Sequence, residues 1–484
     1  MKTALPPLLI ALAVQTAALP AAEQIVTLGD SLTFAYEAEF CFQQTISGIG
    51  TIGDGFPASV RNWIEVLSTT PGRADRFELG IRDSVTVDPP FDPPFQLYFR
   101  QSHNWAIPGL KVDGLRQYLE GQAQFTDLLG GSPEFSTLHT ILSYSDFNNA
   151  TDFPLSQLQS QIQGTADRLT IFIGGNDVKA IYGSVYGGAP AGTFVADFMA
   201  DMVVVLDKIQ ELKADIPIVL VNVPHIGITP DIRSSWPYNP VNTERVSVVI
   251  RELNRQLADL ARTRGIGYAD VYTPTVRLLD GVTRLCIHGM DLNPGSTSGI
   301  TGNLNRTWLN GSISKNFHPN TGPQLVIANE IVRAFNRTYQ TGIAPLTATE
   351  MLVNRLGKLP ANVDMTFATW MVANFPAQTL PFSDDSDGDG IAAGVEFATG
   401  LSPVRNDADL VTQSVVGGEL QLAYPTRLPG SPRYTLVPES SANLVAPFTP
   451  FPVIPAADAD GLTRARLPVG QNPNFLRLKA TVTP

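Results

Sequence analysis

The chain has 484 residues, more than one typical domain, and this length predicts two or three domains. Its 43% hydrophobic and 16% charged residues are typical of a globular protein with a substantial core. The formal net charge of −12 at pH 7 argues against a nucleic-acid partner and against docking on anionic lipid.

The first 22 residues have the pattern of a secretory signal peptide. Lys2 precedes a short apolar stretch over residues 8–14, and small residues follow, with cleavage expected between Ala18 and Ala22. The apolar stretch is far shorter than the ~20 residues that a membrane span needs, and no later segment supplies one. We therefore expect a secreted protein, extracellular or periplasmic, without a transmembrane segment.

Residues 23–342 show alternating strand and helix patterns. Residues 43–160 show no clear periodicity and are predicted to be irregular, and residues 275–314, rich in Gly, Asn, Ser and Thr, are predicted to be a long insertion. Strands are predicted at 25–28, 169–173, 216–223 and 266–271, and amphipathic helices at 194–212, at 246–264 and after His318. This alternation predicts an α/β fold, a three-layer α/β/α arrangement with a parallel sheet covered on both faces.

The first predicted strand ends in Gly29-Asp30-Ser31-Leu32. Glycine permits a sharp turn there, which leaves the Ser31 hydroxyl at the carboxyl edge of the sheet, where α/β proteins bind ligands. Taken alone, the pattern fits equally well a strand-to-helix turn with Ser31 as the N-cap.

Three further blocks, Asn104–Gly109, Leu169–Asp177 and Asn316–Asn320, follow in order. Together with the serine turn they resemble the SGNH family of serine hydrolases, also called GDSL esterases and lipases, over about residues 23–342. The resemblance implies a flavodoxin-like fold. The family's Ser, Gly, Asn and His correspond to Ser31, Gly109, Asn176 and His318.

The resemblance assigns a catalytic role to each of these residues. Ser31 would be the nucleophile and His318 its base, because a serine hydroxyl needs a neighbouring base to react. The backbone N–H groups of Ser31 and Gly109 and the side-chain amide of Asn176 would form the oxyanion hole. We expect a small-molecule, lipid or glycan ester as substrate and no cofactor for catalysis.

One position departs from the family pattern. The family usually has an aspartate three residues before the histidine, which orients the imidazole, and Lys315 stands there instead. A lysine ammonium pointing inward would disfavour imidazolium, so we predict that Lys315 faces solvent. Three alternatives stay open: orientation of His318 by a backbone carbonyl or by an acid outside the motif, with Asp280 and Asp291 as distant candidates; a Ser-His dyad; or a degraded site that only binds.

Two other functions therefore compete with ester hydrolysis. The first is a non-catalytic protein of the same fold that binds a surface or a glycan, favoured by Lys315. The second is transfer of the acyl group to an acceptor other than water, which the sequence does not distinguish from hydrolysis.

Residues 343–405 are predicted to be a helical linker that carries a calcium-binding loop. From Asp385 onward the spacing is D-x-D-x-D-G-x5-E, typical of calcium loops in EF-hands and thrombospondin type 3 repeats, which it resembles. A solvated acidic linker is the alternative. The predicted ligands of a structural Ca²⁺ are Asp385, Asp387, Asp389, the carbonyl of Ile391, and Glu396.

Residues 406–484 predict a small all-β module. Short alternating stretches at 419–424, 434–437 and 475–480 are typical of strands in a sandwich. The module is a candidate for surface or glycan contact, although it shows no clear aromatic platform. In an exported chain, Cys41 and Cys286 are also a candidate disulfide pair.

Overall fold

The structure of the protein is a computed structural model. It describes residues 23–46, 50–68, 76–87, 95–124, 128, 154–281, 284–288, 290–358, 365–375, 378–404, 406, 411–416, 419–424, 433–443, 447–450, 453–457, 463–468 and 475–482. The predicted signal peptide, residues 1–22, lies outside the described residues. Among the helices that are described, none is long and apolar enough to cross a lipid bilayer.

A parallel sheet of five strands lies at the centre of the N-terminal part. Its strands are β1 (Glu23–Gly29), β2 (Phe77–Glu78), β3 (Arg168–Phe172), β4 (Ile218–Val221) and β5 (Gly267–Ala269). Their order across the sheet is β2-β1-β3-β4-β5, so the chain reverses its direction of travel across the sheet at β1. A ligand site is expected at the carboxyl end of a strand where this reversal occurs.

Helices cover both faces of this sheet, as the sequence predicts. Alternate strand residues point to opposite sides, so Val26 and Leu28 join one apolar cluster while Ile25 and Phe172 join another. Helices Val112–Leu119, Phe194–Leu212 and Pro240–Arg264 contribute buried side chains to the first cluster. Helices Trp63–Ser68 and Thr321–Tyr339 contribute to the second.

Of the remaining described helices, Gly175–Tyr186 also contributes buried side chains to the first cluster, and the others have eight residues or fewer. The other α-helices among the described residues are Tyr36–Glu39, Leu155–Ser160, Gly175–Tyr186, Pro230–Ser235, Tyr272–Val276, Phe367–Asn374 and Ala393–Thr399. Short 3₁₀ turns span Ile226–Ile228 and Gly299–Thr301, and π-helical turns span Gln161–Thr165 and Thr349–Arg355.

Two regions hold more regular structure than their sequences indicate. The prediction of an irregular chain over 43–160 is wrong for much of the described part, which contains β2, several short helices and two antiparallel hairpins. The hairpins pair Gln44–Ile46 with Gly50–Ile52 and Arg82–Val87 with Phe95–Gln101. The predicted insertion holds two further small sheets, Cys286–Ile287 with Met290–Asp291 and Asn293–Thr297 with Arg306–Leu309.

The described residues of the C-terminal part form two antiparallel sheets. One has the strands Thr412–Val416, Glu419–Tyr424, Thr463–Pro468 and Val453–Ala457, and the other has Thr449–Pro450, Tyr434–Ser441 and Phe475–Val482. The helices before these sheets pack on them, because Trp370 and Phe397 share an apolar cluster with Tyr434. The segment with the acidic loop and the β module therefore share a core.

Candidate active site

Ser31 lies directly beyond the carboxyl end of β1. The turn is tight because the backbone N–H of Asp30 donates to the carbonyl of Phe172 on the neighbouring β3, at 3.3 Å. A Cβ at Gly29 would lie only 2.4 Å from that same carbonyl oxygen, so the approach of the two strands requires glycine there. Ser31 itself is 5% exposed.

The structure brings His318 to Ser31 across 287 residues of chain, with His318 Nε2 2.7 Å from Ser31 Oγ. His318 lies shortly before helix Thr321–Tyr339. Its ring packs against Phe40, with 4.8 Å between ring centroids, and against Phe317 at 5.5 Å. These contacts restrict rotation of the imidazole.

A backbone carbonyl contacts the ring nitrogen that an aspartate orients in a Ser-His-Asp triad. The carbonyl oxygen of Ser314 lies 3.0 Å from His318 Nδ1. Because a carbonyl can only accept, Nδ1 carries the proton and Nε2 presents its lone pair to the Ser31 hydroxyl. Lys315 is exposed, as predicted. This contact supports orientation of the ring by a backbone carbonyl.

The segment that presents this carbonyl is held by Asp54, a residue that sequence reasoning missed. Its Oδ1 accepts from the backbone N–H of Ile313 at 2.8 Å and from the Ser312 hydroxyl at 3.0 Å. Its Oδ2 accepts from the backbone N–H of Ser314 at 2.9 Å. No motif marks Asp54, which lies 260 residues before Ser314.

The other two motif residues lie in a loop and in the first turn of helix Gly175–Tyr186, and both segments are joined to the serine turn. The backbone N–H of Ile107 donates to the carbonyl of Gly29 at 2.9 Å, and Gly109 follows with a φ of 76°, a left-handed conformation suited to glycine. Asn176 Nδ2 donates to the carbonyl of Leu110 at 3.1 Å. The four blocks therefore meet at the carboxyl end of β1.

Asn104, which opens the second block, ties that block to the serine turn. It is fully buried, accepts from the Thr27 hydroxyl at 3.0 Å and donates from Nδ2 to the carbonyl of Thr33 at 2.9 Å. Because Thr27 precedes Ser31 and Thr33 follows it, Asn104 is hydrogen-bonded to the chain on both sides of the serine turn.

Two buried carboxyl groups, those of Asp30 and Asp177, lie next to the site residues Ser31 and Asn176 in the chain. Burial raises the pKa of Asp30 to about 7, and the nearby Asp177 adds to the rise. Burial likewise raises the pKa of Asp177 to about 7, although Asp177 Oδ1 accepts from the backbone N–H of Val112 at 3.2 Å. Asp30 Oδ2 lies 3.5 Å from Asn176 Nδ2, so this pair lies directly beside the proposed oxyanion donor.

An apolar cavity of about 90 Å³ is lined in part by the chain neighbours of the serine and the histidine. Its wall includes Leu32, which follows Ser31, and Phe317 and Pro319, which flank His318. Ile226 and Trp308 are among the side chains that complete it. The cavity can hold an apolar group next to the proposed nucleophile.

A second serine and histidine, Ser247 and His225, are also in contact, but their geometry does not suit catalysis. His225 Nε2 lies 3.0 Å from Ser247 Oγ, and His225 Nδ1 accepts from the backbone N–H of Gly227 at 3.2 Å. Nε2 therefore carries the proton, and the Ser247 hydroxyl donates instead to the carbonyl of Thr243 at 3.0 Å. Burial lowers the pKa of His225 to about 4, which keeps the ring neutral.

The acidic loop brings three of its predicted ligands together. Carboxylate oxygens of Asp385, Asp387 and Asp389 all lie within 4.8 Å of one another, and Gly388 and Gly390 have positive φ values. Glu396 is not part of this cluster and lies buried on helix Ala393–Thr399. Three close carboxylates on a tight loop fit a hard cation such as Ca²⁺.

The two cysteines are not bonded to each other. Cys41 Sγ donates to the carbonyl of Pro57 at 3.3 Å, whereas Cys286 Sγ donates to the carbonyl of Gly400 at 3.5 Å. The candidate disulfide is therefore absent from the structure.

Comparison with known proteins supplies a family. A search of the curated proteins found no match. Among solved structures, this chain is similar to an extracellular lipase from Streptomyces rimosus, at 13% identity and a TM-score of 0.31, covering 64% of this chain and 100% of that chain. It is also similar to a variant of an acetyl-xylooligosaccharide esterase from Geobacillus, at 11% identity and a TM-score of 0.31, covering 65% of this chain and 94% of that chain.

A family model describes the region that contains the site. The model of the GDSL-like lipase/acylhydrolase family matches residues 25–331, which include all four blocks. The acidic loop and the β module lie beyond the match. Because the match covers more than half of the chain, the protein belongs to the GDSL-like lipase/acylhydrolase family.

Proposed function

We propose that the protein is a secreted serine esterase that hydrolyses carboxylic esters through an acyl-enzyme on Ser31. The observation that carries this proposal is the contact of 2.7 Å between Ser31 Oγ and His318 Nε2. The Ser314 carbonyl on Nδ1 supports it, because that contact selects the tautomer in which Nε2 can accept the serine proton.

The proposed reaction has two halves. Ser31 Oγ attacks the ester carbonyl carbon while His318 Nε2 takes the hydroxyl proton, and the resulting oxyanion is held by Asn176 and by the backbone N–H groups of Ser31 and Gly109. The intermediate then expels the alcohol, which receives its proton from His318. Water next attacks the acyl-enzyme with His318 as base, which releases the acid and restores Ser31. These steps use no cofactor.

The apolar cavity favours an ester with an apolar group near the reacting carbonyl. Its walls adjoin both Ser31 and His318 through their chain neighbours Leu32, Phe317 and Pro319. Each methylene buried there would contribute about 0.8 kcal/mol of binding. We therefore favour an alkyl acyl chain as its occupant over the acetyl group of an O-acetylated sugar.

Hydrolysis of p-nitrophenyl acetate, butyrate and octanoate tests the proposal. We expect kcat/KM to rise from acetate to octanoate, and Ser31→Ala to lose at least about 10³-fold in kcat. Ser247→Ala is the matched control, since that serine also contacts a histidine but donates to a carbonyl. If Ser31→Ala keeps its activity, the assignment of the nucleophile is wrong.

The structure gives less support to the non-catalytic function than to hydrolysis. Lys315 is the residue that favours a non-catalytic protein, but its side chain is exposed and the contact between Ser31 and His318 is present. Acyl transfer remains an alternative that the same assays can detect, through a new ester formed when an alcohol is added.

Secretion and calcium binding also belong to the proposal. Export rests on residues 1–22, which have the charge and apolar pattern of a signal peptide. Calcium binding rests on the cluster of Asp385, Asp387 and Asp389, which would hold the ion with carboxylate oxygens. Ile391 and Glu396 remain predicted ligands, and surface or glycan contact through the β module remains a prediction.

A further inference from the structure

We propose that Asp54 is a positioning residue for His318. It would act through the backbone, by holding the segment whose Ser314 carbonyl orients the imidazole. This inference rests on the proposed function, because it assumes that His318 is the base for Ser31.

The contacts of Asp54 are concentrated on one short segment. Both carboxylate oxygens accept hydrogen bonds, and all three donors belong to Ser312, Ile313 and Ser314. Asp54 is 6% exposed, so these bonds are shielded from water. A carboxylate that accepts several N–H bonds in a buried site holds its donors more firmly than a neutral acceptor does.

Ser314 connects the carboxylate to the histidine. Its backbone N–H donates to Asp54 Oδ2 at 2.9 Å, and its own carbonyl lies 3.0 Å from His318 Nδ1. Ser314 is fully buried. A shift of the Ser314 backbone would therefore change the direction in which His318 presents Nε2 to Ser31.

The segment needs such support because its backbone is unfavourable. Lys315 and Asn316 follow Ser314 directly, and both have left-handed φ values, 46° and 59°. Residues with a Cβ adopt this conformation at a cost, and it persists only where the surroundings impose it. The three hydrogen bonds that Asp54 accepts from this segment are a direct source of that constraint.

Glycine allows the carboxylate to approach the segment closely. A Cβ at Gly311 would lie 2.1 Å from Asp54 Cγ, so any side chain there would displace the carboxylate. Asp54 itself lies between Gly53 and Gly55, which have φ values of 86° and 65°. Glycines therefore flank Asp54 and also lie in the segment that it contacts, and they let the two come close together.

The test compares Asp54→Asn with variants that break weaker or unrelated contacts. In Asp54→Asn an amide group faces a backbone N–H, because both carboxylate oxygens accept from one. We expect kcat for an ester substrate to fall about 10- to 100-fold, the size of effect seen when a metal-bound histidine loses the group that orients it. KM should stay within about threefold, because Asp54 contacts the segment and not the substrate.

Two further variants separate positioning from general stability. Ser312→Ala removes the hydroxyl bond to Asp54 and a longer contact of 3.5 Å with the carbonyl of Gly53, and we expect a fall in kcat of about threefold with KM unchanged. Asn239→Ala is the matched control, because Asn239 Oδ1 accepts from two backbone N–H groups, of Val241 and Asn242, each at 3.0 Å. Its kcat should equal that of the wild type.

Proton NMR of the imidazole supplies a readout that stability alone does not change. The hydrogen-bonded Nδ1–H of His318 should give a low-field resonance in the wild type. That resonance should move or vanish in Asp54→Asn and shift in Ser312→Ala, and it should stay in place in Asn239→Ala. If Asp54→Asn does not fold, the kcat and the resonance of Ser312→Ala decide the matter.

The inference is overturned if a folded Asp54→Asn keeps kcat within twofold and retains the resonance, or if Ser312→Ala changes neither. It is also overturned if Asn239→Ala loses as much kcat as Asp54→Asn. Failure of the proposed function is a distinct result, because Ser31→Ala would then retain activity whatever Asp54→Asn does.

Discussion

Lys315 occupies the position at which the family usually places an acid, and its side chain points to solvent. The ring of His318 is oriented by the residue before Lys315, through the carbonyl of Ser314. The charge of Lys315 therefore has little electrostatic effect on the imidazole of His318, because an exposed ammonium is screened by water.

Lys315→Ala should change kcat/KM for an ester by less than about tenfold, or ~1.4 kcal/mol of barrier. The reason is that the side chain takes no part in orienting His318. Gln340→Ala is a suitable control, because Gln340 is likewise exposed and has a left-handed φ of 54°. Loss of most activity in Lys315→Ala alone would show that the lysine acts directly.

Asp30 and Asp177 make the stability of the fold depend on pH. Both carboxyls have a pKa raised from 3.8 to about 7, so the folded protein binds more protons than the unfolded chain between about pH 4 and pH 7. The free energy of unfolding should therefore fall as pH rises through this window and level off above pH 7.

Asp177→Asn should reduce the dependence of the free energy of unfolding on pH. The variant keeps an oxygen for the backbone N–H of Val112 and removes the buried charge, so at pH 8 it should be more stable by about 1 kcal/mol or more. Urea unfolding at pH 5 and pH 8 checks this, with the exposed Asp215→Asn as control. The account is contradicted if the free energy of unfolding changes by the same amount between pH 5 and pH 8 in Asp177→Asn and in the wild type.

At the scale of elements, long apolar patterns predict the structure best. The helix predicted at 194–212 has the bounds Phe194–Leu212, because its apolar residues recur every three or four positions. The helix predicted to begin at Val246 begins at Pro240, with Asn239 as its N-cap. Its first turns are polar and largely exposed, so no apolar period marks them.

Short elements are harder to predict. Helix Trp63–Ser68 and strand Phe77–Glu78 lie in the region predicted to be irregular, and neither is long enough to display a period. Tertiary packing determines them, since every residue of that helix is buried.

The site shows the same limit. The four motif blocks predict Ser31, Gly109, Asn176 and His318 as site residues. No motif predicts Asp54, because its contact with Ser314 exists only in the folded chain.

Calcium should affect the acidic loop and leave the chemistry unchanged. In the absence of the ion, like charges on Asp385, Asp387 and Asp389 repel one another, so chelation should speed proteolysis near residues 385–399. The kcat for an ester should change less than about twofold, because the loop lies outside the region of the four blocks. Calorimetry should detect uptake at up to millimolar Ca²⁺.

Asp387→Asn is the control for that experiment. It should weaken the uptake of Ca²⁺ by removing one ligand charge, and chelator should then have less effect on proteolysis. Absence of Ca²⁺ uptake by the wild type at millimolar concentration would refute the site.

At the scale of the whole molecule, the proposed chemistry is confined to the N-terminal part. The region that the family model matches ends at residue 331, and the helices and sheets near the C-terminus have an apolar cluster of their own. Contact between the two parts includes the hydrogen bond from Cys286 to Gly400. The C-terminal part is therefore attached to the hydrolase fold without supplying any residue of the proposed site.

The central claim is that Ser31 is the nucleophile activated by His318. A fluorophosphonate forms a stable bond only with an activated serine, so peptide mass mapping of the labelled protein tests the claim most directly. We predict one adduct per chain, on the peptide that contains Ser31, with labelling slowed strongly in His318→Ala and unchanged in Ser247→Ala. An unlabelled Ser31 in active protein, or an adduct on another serine, would contradict this account.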